Sequence, residues 1–187
     1  MTKSELRRTF LIKQKSLSVQ ERQKLSQQIA DQFFANFAVE SFKNLHLFLS
    51  IEKNGEVDTK FIYERLRQDF PHVKTYVPRV GGEVLEHLEF TPNTEFSVSS
   101  WGIGEPLGND LADEKLFDAV IVPLLCFDKR GYRVGYGKGF YDKFLAKCRT
   151  DCLKIGVSYF PPIESIEINE FDVKLDYCLT PNSVFTF

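Results

Sequence analysis

The residues best suited to chemistry lie in the glycine-rich segment GYRVGYGKGFYDKF, residues 131–144. Gly135, Gly137 and Gly139 alternate here with other residues, and the segment continues directly into a predicted helix. Glycine tolerates positive φ and lets backbone amides approach an oxygen ligand closely. The N-terminus of a helix also favours negative charge. Residues 131–139, which we call the glycine loop, are therefore predicted to bind an anion.

Charged side chains in the same segment support this interpretation. Lys138 supplies a mobile positive charge and Arg133 a planar one. Asp142 falls in the first turn of the predicted helix, and Mg²⁺ commonly takes one or two carboxylates together with phosphate oxygens and water. The local sequence also leaves a plainer alternative open, in which the loop is a tight turn and Asp142 only caps the helix.

Neither of the two common phosphate-binding motifs matches this loop. The dinucleotide fingerprint G-x-G-x-x-G fits Gly135 and Gly137 but meets Phe140 where its third glycine belongs. The P-loop motif finds its Gly-Lys pair at Gly137 and Lys138 but has Tyr132 in place of its first glycine. The loop therefore has the physical features of an anion site but matches neither of these sequence motifs.

Other polar candidates are spread along the chain. Lys3 and Arg7 are four residues apart in a basic first helix, so they share one side and could bind an anion together. Glu56 follows a predicted strand and Asp172 lies between apolar residues, and each alone is expected to be a surface carboxylate. Trp101 lies in the glycine-containing stretch SWGIGEP, where it either anchors that loop or offers a platform for a planar ring.

The histidines and cysteines do not suggest a triad or a zinc site. His46, His72 and His87 are scattered in the sequence, and none is near the glycine loop. Cys148 and Cys152 are separated by three residues, which is not the usual zinc spacing, and no histidine is close to them. We interpret all four cysteines as reduced thiols with packing roles.

Length and composition favour a single soluble domain covering residues 1–187, with 43% hydrophobic and 27% charged residues. The net charge of −2 does not favour a nucleic-acid partner. The charged N-terminal segment lacks the apolar stretch of a secretory signal, and no apolar run approaches the length of a membrane span. We expect a cytoplasmic protein with no membrane partner, as a monomer or alternatively a dimer.

Hydrophobic periodicity predicts alternating strands and helices. Capping boxes begin two N-terminal helices, at Thr2 with Glu5 and at Ser18 with Glu21. Further helices are predicted over residues 59–67 and 140–149, and a long functional loop over residues 91–110. Predicted strands are LHLFLS (45–50), VKTYVP (73–78), GGEVLEHLEF with its turn (81–90), DAVIVPLL (118–125), LKIGVSY (153–159) and DYCLTP (176–181).

This alternation predicts an α/β fold, a three-layer α/β/α sandwich with a mainly parallel, Rossmann-like sheet. Ligands of such sheets bind at the carboxyl ends of the strands. The glycine loop follows the buried strand DAVIVPLL, so it is expected at that edge.

The block VPLLCFDKRGYRVGYGKGFYDKFL, residues 122–145, resembles the signature of the 5-formyltetrahydrofolate cyclo-ligase family, also called methenyltetrahydrofolate synthetases. Shorter pieces resemble the family in the same order: K-x-x-L-R at residues 3–7, GEVDT at 55–59, VPR at 77–79, WGIxEP at 101–106 and the pair Phe171-Asp172. The resemblance implies ATP-dependent and Mg²⁺-dependent closure of 5-formyltetrahydrofolate to 5,10-methenyltetrahydrofolate through a phosphorylated formyl group. ADP and phosphate are the expected by-products.

The resemblance also implies roles for individual residues. Lys138 is expected to steady the transferring phosphoryl group, and Asp142 and Asp172 to hold Mg²⁺. Folate contacts are implied for Ile51, Glu56, Trp101, Tyr136 and Phe140. ATP contacts are implied for Lys3, Arg7, Arg133, Val134, Gly135, Tyr136, Gly137, Lys138, Gly139, Phe140 and Tyr141. Phe140 stands where many members carry tyrosine, so a hydroxyl is not essential there. Arg79 is a further candidate anion contact.

Two other functions remain compatible with the residues. A sugar-phosphate isomerase or CoA-transferase-like enzyme on a similar sheet would need an acid–base carboxylate in its pocket and no nucleotide. A non-catalytic nucleotide-binding module would bind ATP equally well with or without folate and release no phosphate.

Overall fold

The computed structural model describes residues 1–98 and 104–187. Its α-helices are Lys3–Ser16 (α1), Val19–Asn36 (α2), Lys60–Asp69 (α3) and Phe140–Leu145 (α4). Its strands are Asn44–His46 (β1), Lys74–Gly81 (β2), Val84–Glu89 (β3), Phe96–Val98 (β4), Gly104–Pro106 (β5), Ala119–Pro123 (β6), Cys126–Phe127 (β7), Arg133–Val134 (β8), Leu153–Val157 (β9), Tyr177–Thr180 (β10) and Ser183–Thr186 (β11).

Seven strands form the central sheet in the order β11-β10-β9-β6-β1-β2-β3. The five inner strands run parallel, whereas β3 and β11 pair antiparallel at the two edges. β6 is buried on both faces: Ile121 packs with α2 and α3, while Val120 and Val122 pack with α4. Side chains alternate between faces along a strand, so an uninterrupted apolar run is expected in such a sheet. The mainly parallel three-layer fold is confirmed.

The N-terminal helices begin as the sequence predicts. Thr2 and Ser18 each accept a hydrogen bond from the backbone N–H three residues further on. The carboxylates of Glu5 and Glu21 in turn accept a hydrogen bond from the backbone N–H of the capping residue. The chain closes with β11, a strand that we did not predict. Among the residues that the structure describes, no helix combines the length and apolar character needed to cross a bilayer.

Several predicted boundaries are wrong. β1 ends at His46 instead of Ser50, because the Thr59 hydroxyl takes the Phe48 carbonyl (2.6 Å) that a longer strand would offer to its neighbour. α4 ends at Leu145 instead of residue 149, since the Lys147 N–H donates to the Phe144 carbonyl in a tightened turn. Residues 91–110 are not all loop, because they contain the antiparallel pair β4 and β5.

Candidate functional site

The glycine loop lies beyond the carboxyl end of β6, as expected. The Leu125 N–H donates to the Val134 carbonyl (2.8 Å), so the short β7–β8 pair returns the chain to that edge of the sheet. Gly137 (φ 95°) and Gly139 (φ 70°) occupy the left-handed region that disfavours side chains. Gly139 is also the residue from which α4 begins. These two glycines are therefore required by the backbone conformation of the loop.

Helix α1 packs against this loop and brings its basic face to it. Leu6 and Phe10 are buried in one cluster with Val134. The Arg7 Nε donates to the Gly135 carbonyl at 3.0 Å. A Cβ at position 137 would lie 3.2 Å from the Arg7 Nε, so glycine also makes room for this arginine.

Lys3, on the same face of α1, forms an ion pair with Asp172. The Oδ2 atom of Asp172 also accepts the Asn169 N–H at 2.8 Å, which fixes the carboxylate within its own loop. The two cations of the first helix and this distant carboxylate are thus brought to one side of the glycine loop. Neither the Lys3 nor the Asp172 side chain is more than one-fifth exposed.

Arg133 lies beneath the loop instead of on its surface, with its side chain 5% exposed. Its Nη2 donates to the Asp142 Oδ1 at 2.9 Å, and its Nη1 donates to the Val173 carbonyl at 2.6 Å. Burial lowers the pKa of Arg133 from its usual value, and the nearby carboxylates of Asp142 and Asp172 oppose that shift. Arg133 therefore contacts one of the two carboxylates predicted to hold Mg²⁺ and is close enough to the other to be influenced by its charge.

The arrangement of Asp142 and Asp172 fits a hard cation that shares its ligands with a phosphate. Each carboxylate has one oxygen bound by the protein, and its other oxygen has no hydrogen bond within residues 1–98 and 104–187. In that part of the chain no group of three or more His, Cys, Asp or Glu side chains surrounds a metal position. Mg²⁺ is usually bound by one or two carboxylates, substrate phosphates and water, so two such oxygens are sufficient.

Glu56 is buried, contrary to the expectation for an isolated carboxylate. Its Oε2 accepts the Ile51 N–H at 2.7 Å. Burial raises the pKa of Glu56 to about 7, although the Ile51 N–H and the Tyr136 hydroxyl both favour the charged form. The Glu56 carbonyl accepts a hydrogen bond from the Tyr159 hydroxyl at 2.8 Å, which holds this segment against the end of β9. Burial therefore favours the protonated form of Glu56 more than in an exposed glutamate.

Gln14 is a residue of this site that sequence reasoning missed. Its side-chain amide donates to the Tyr136 hydroxyl (3.1 Å) and to the Asn54 carbonyl (2.9 Å), and the residue is only 3% exposed. A signal was present, because Leu6, Phe10 and Gln14 recur every four residues on the buried face of α1. A polar residue in an apolar stripe implies a buried hydrogen-bond partner.

The other predicted site residues are placed as follows. Lys138 is exposed at the tip of the loop and makes no hydrogen bond or ion pair within the described part of the chain. Phe140 is half-buried at the start of α4. Within the same described residues, the buried Tyr141 hydroxyl has no hydrogen-bond partner, and burial raises its pKa. Trp101 lies outside the described residues. Arg79 pairs with Glu86 (2.6 Å) on β3.

The histidines are less scattered than their sequence positions indicate. The His87 Nδ1 and the His46 Nε2 are 3.1 Å apart, and both rings are buried against Phe117 and Phe144. Burial lowers the pKa of His87 to about 4 and that of His46 well below its usual value. The pair is therefore a neutral part of the core beneath α4. The four cysteines are free thiols, three of them buried, in agreement with packing roles.

A surface cavity of about 380 Å³ lies elsewhere, between Tyr76, Leu88 and residues 107–112. None of the predicted site residues lines it. The candidate site is defined by the polar groups and the glycine backbone that converge at the carboxyl end of β6.

Comparison with known proteins gives a consistent result. The model of the 5-formyltetrahydrofolate cyclo-ligase family matches residues 1–181. The 5-formyltetrahydrofolate cyclo-ligase of Escherichia coli K12 is 28% identical over 179 residues, which cover 92% of this chain and 97% of that protein. The mouse protein of the same name is 28% identical over 184 residues, covering 90% and 88%.

A solved structure agrees in fold and sequence. The 5,10-methenyltetrahydrofolate synthetase of Aquifex aeolicus superposes with a TM-score of 0.85 at 30% identity, covering 100% of this chain and 93% of that one. The family match extends from α1 through the glycine loop to β10, so it includes every segment that builds the site. The chain belongs to the 5-formyltetrahydrofolate cyclo-ligase family.

Proposed function

We propose that this protein is an enzyme that uses ATP and Mg²⁺ to convert 5-formyltetrahydrofolate into 5,10-methenyltetrahydrofolate, with release of ADP and phosphate. One observation carries the proposal, together with the family membership. Adjacent residues of the glycine loop contact the two predicted ligand-binding groups: Gly135 accepts from Arg7, and Tyr136 interacts with Gln14 and Glu56. A nucleotide held from the α1 side and a folate held from the Glu56 side would meet there.

The chemistry requires activation of a poor leaving group. The formyl oxygen attacks the terminal phosphorus of ATP, and the bond from that phosphorus to the ADP oxygen breaks. The resulting iminium phosphate is attacked at carbon by the folate nitrogen N10. The carbon–oxygen bond then breaks, phosphate leaves, and N10 loses its proton. The enzyme's contribution to such steps is mainly positioning and neutralisation of charge.

The glycine loop and α1 supply the positive groups for the phosphates. Lys138 is exposed and unpaired within residues 1–98 and 104–187, so its ammonium is available to the transferring phosphoryl group. Arg7 is held over the loop by its bond to Gly135, and the N-terminus of α4 follows directly. Backbone amides in the left-handed turns at Gly137 and Gly139 add further donors.

The folate side centres on Glu56. A buried carboxylate suits the donor edge of a pterin ring, because an ionised carboxylate only accepts hydrogen bonds. The Ile51 N–H fixes one carboxylate oxygen, which orients the side chain. Tyr136 and the half-buried Phe140 would border the position where the two ligands meet.

Asp142 and Asp172 would hold Mg²⁺ through the oxygens that the protein leaves without hydrogen bonds. Bound there, the ion would neutralise charge that develops on the phosphates. Because the remaining ligands must come from the nucleotide and water, we expect metal and nucleotide to bind cooperatively.

The proposal is tested by mixing the protein with ATP, Mg²⁺ and 5-formyltetrahydrofolate and following the near-ultraviolet absorbance of the methenyl product. An ATP-dependent rise is expected, and its absence would reject the proposed reaction. A sugar-phosphate isomerase would ignore ATP, and a non-catalytic module would bind ATP without releasing phosphate. Neither alternative would therefore give the absorbance rise, and a measurement of ATP binding separates the two.

We further propose that residues 1–187 act as a single domain, since strands from both halves of the chain join in one sheet. We also propose that the protein is cytoplasmic and acts as a monomer, or alternatively as a dimer, on small-molecule substrates.

A further inference from the structure

We propose that Arg133 is a positioning residue that sets Asp142 and Asp172 for Mg²⁺, and that it does not bind the phosphates directly. The family resemblance implies an ATP contact for Arg133 as part of the glycine loop. The structure favours a different role. This inference rests on the magnesium site of the proposed function.

The first argument is the burial of the guanidinium. The Arg133 side chain is 5% exposed, whereas Lys138 in the same loop is exposed. Two of the nitrogens of Arg133 already donate to fixed acceptors, the Asp142 carboxylate and the Val173 carbonyl. Burial leaves little of this group accessible to a phosphate, and its two bonded nitrogens would have to give up part of their bonding to protein acceptors to bind one.

The second argument is the closed set of bonds around Arg133. Asp142 Oδ1 accepts from Arg133 Nη2 (2.9 Å) and from the Val173 N–H (3.1 Å), while the Val173 carbonyl accepts from Arg133 Nη1 (2.6 Å). Three groups from β8, α4 and the loop before β10 thus hold one another. Asp172 is the residue next to Val173, so the same bonds hold the segment that carries the second carboxylate.

The third argument is which oxygens these bonds leave available. Arg133 and Val173 occupy Oδ1 of Asp142, and Asn169 and Lys3 occupy Oδ2 of Asp172. Oδ2 of Asp142 and Oδ1 of Asp172 have no hydrogen bond within the described ranges. Groups that orient metal ligands in this way commonly change metal affinity by about 10- to 100-fold when they are removed.

Arginine is the residue that such a role requires. Its planar fork donates in two directions at once, whereas a lysine ammonium is a compact charge on a flexible stem. Arg133→Lys therefore keeps the positive charge but loses the double bridge. If Arg133 only neutralised phosphate charge, lysine would replace it well.

The test compares binding of a non-hydrolysable ATP analogue by calorimetry, once with excess Mg²⁺ and once with EDTA. For Arg133→Lys we expect affinity in EDTA to stay within about twofold of wild type, and affinity with Mg²⁺ to fall by about 10-fold. The proposal is overturned if Arg133→Lys binds the analogue more weakly than wild type in EDTA. It is also overturned if Mg²⁺ raises the affinity of the variant as much as that of wild type.

Arg149→Lys is the matched control. Arg149 also bridges a carboxylate and a carbonyl, Asp118 (2.9 Å) and Lys115 (3.0 Å), but at the amino end of β6. We expect this variant to bind the analogue like wild type under both conditions. If it loses the Mg²⁺ effect as Arg133→Lys does, the loss reflects general loosening and the proposal fails.

If Arg133→Lys fails to fold, which a non-cooperative unfolding transition would show, a measurement on the wild-type protein tests the role of Arg133 instead. The nitrogen-15 resonance of the Arg133 Nε should stay unchanged when the analogue is added in EDTA, and should move when Mg²⁺ follows. A shift with the analogue alone would identify a phosphate ligand and overturn the proposal. These experiments contain no folate, so they test the magnesium site separately from the reaction. If the protein binds Mg²⁺ and nucleotide as expected but forms no methenyl product, only the proposed reaction is refuted.

Discussion

The side-chain amide of Gln14 donates to the Tyr136 hydroxyl at 3.1 Å and thereby joins helix α1 to the glycine loop. An amide N–H can only donate, so it occupies an acceptor site of the tyrosine oxygen and leaves the phenol proton free to point at Glu56. The Tyr136 hydroxyl in turn favours the charged form of Glu56. A residue of the first helix thus acts on a carboxylate 42 positions further along the chain.

Tyr136→Phe is expected to shift the pH dependence of folate binding. Loss of the hydroxyl removes one of the groups that lower the pKa of Glu56, so the carboxylate ionises only at higher pH. The acid limb of folate affinity should move to higher pH, while affinity well above that limb changes little. Fluorescence titration of folate binding at pH values from about 5 to about 9, roughly two units on either side of neutrality, measures the position of this limb.

Gln14→Leu should shift the same limb in the same direction but less, because it only frees the Tyr136 hydroxyl to rotate. Gln27→Leu, an exposed change on α2, is the control and should have no effect on the limb. Identical pH profiles for wild type and Tyr136→Phe would show that Tyr136 does not act on Glu56.

Glu56 should also lower the stability of the free protein at neutral and alkaline pH. Its pKa is raised from 4.5 to about 7 in the folded state, so the folded protein holds this proton more tightly than the unfolded chain does. The associated stability is fully present below pH 4.5 and is lost as pH rises through about 7. Because a tenfold change in proton affinity corresponds to about 1.4 kcal/mol, the loss reaches about 3 kcal/mol.

Urea denaturation of Glu56→Gln and wild type at about pH 5 and about pH 8 measures this loss of stability, because the first pH lies below the folded pKa of Glu56 and the second lies above it. The difference in the free energy of unfolding should move in favour of the variant at the higher pH, because glutamine carries no charge to bury. A difference independent of pH would mean that Glu56 does not titrate with a raised pKa.

Asp142→Asn is expected to weaken the magnesium dependence of turnover. A neutral amide is a poorer ligand than a carboxylate for a hard cation, so the Mg²⁺ concentration for half-maximal rate should rise by about 10-fold. Asp151→Asn, which removes an exposed carboxylate paired with Arg149, is the control and should leave the dependence unchanged. An unchanged Mg²⁺ requirement in Asp142→Asn would remove this residue from the metal site.

Lys138→Ala should lower turnover much more than folate binding. Its exposed ammonium makes no contact in the described residues, so its removal should cost little stability and act mainly on the transferring phosphoryl group. We expect kcat to fall by about 100-fold, as for loss of one transition-state donor, with folate affinity within about twofold. Lys143→Ala, an exposed change on α4, controls for loss of positive charge. A normal kcat for Lys138→Ala would reject its role in phosphoryl transfer.

The parts of this structure that depend on local pattern were predictable from the sequence. The uninterrupted apolar strand β6, the capping boxes at Thr2 and Ser18, and the glycine loop at the end of a strand all follow from spacing over a few residues. The end of β1 was not predictable, because Thr59, a residue thirteen positions beyond it, takes the carbonyl that would have continued the strand.

The organisation of the site depends on contacts between residues far apart in sequence. Gln14 meets Tyr136 across 122 positions, and Lys3 meets Asp172 across 169. His46 and His87, 41 positions apart, form a buried pair for the same reason. Residue type pointed to Arg133, Lys138 and Asp142, and the family resemblance to Glu56 and Asp172. Only the folded sheet determines which polar groups meet and which oxygens of Asp142 and Asp172 remain available.

The central claim is that ATP and folate react at the glycine loop, and the stoichiometry of the reaction tests it most directly. ADP release and methenyl product are measured together in the presence of Mg²⁺, with and without 5-formyltetrahydrofolate. We expect one ADP for each methenyl product formed and no ADP release above background without the folate. Equal ADP release in both samples, or product formed without ATP, would contradict the account.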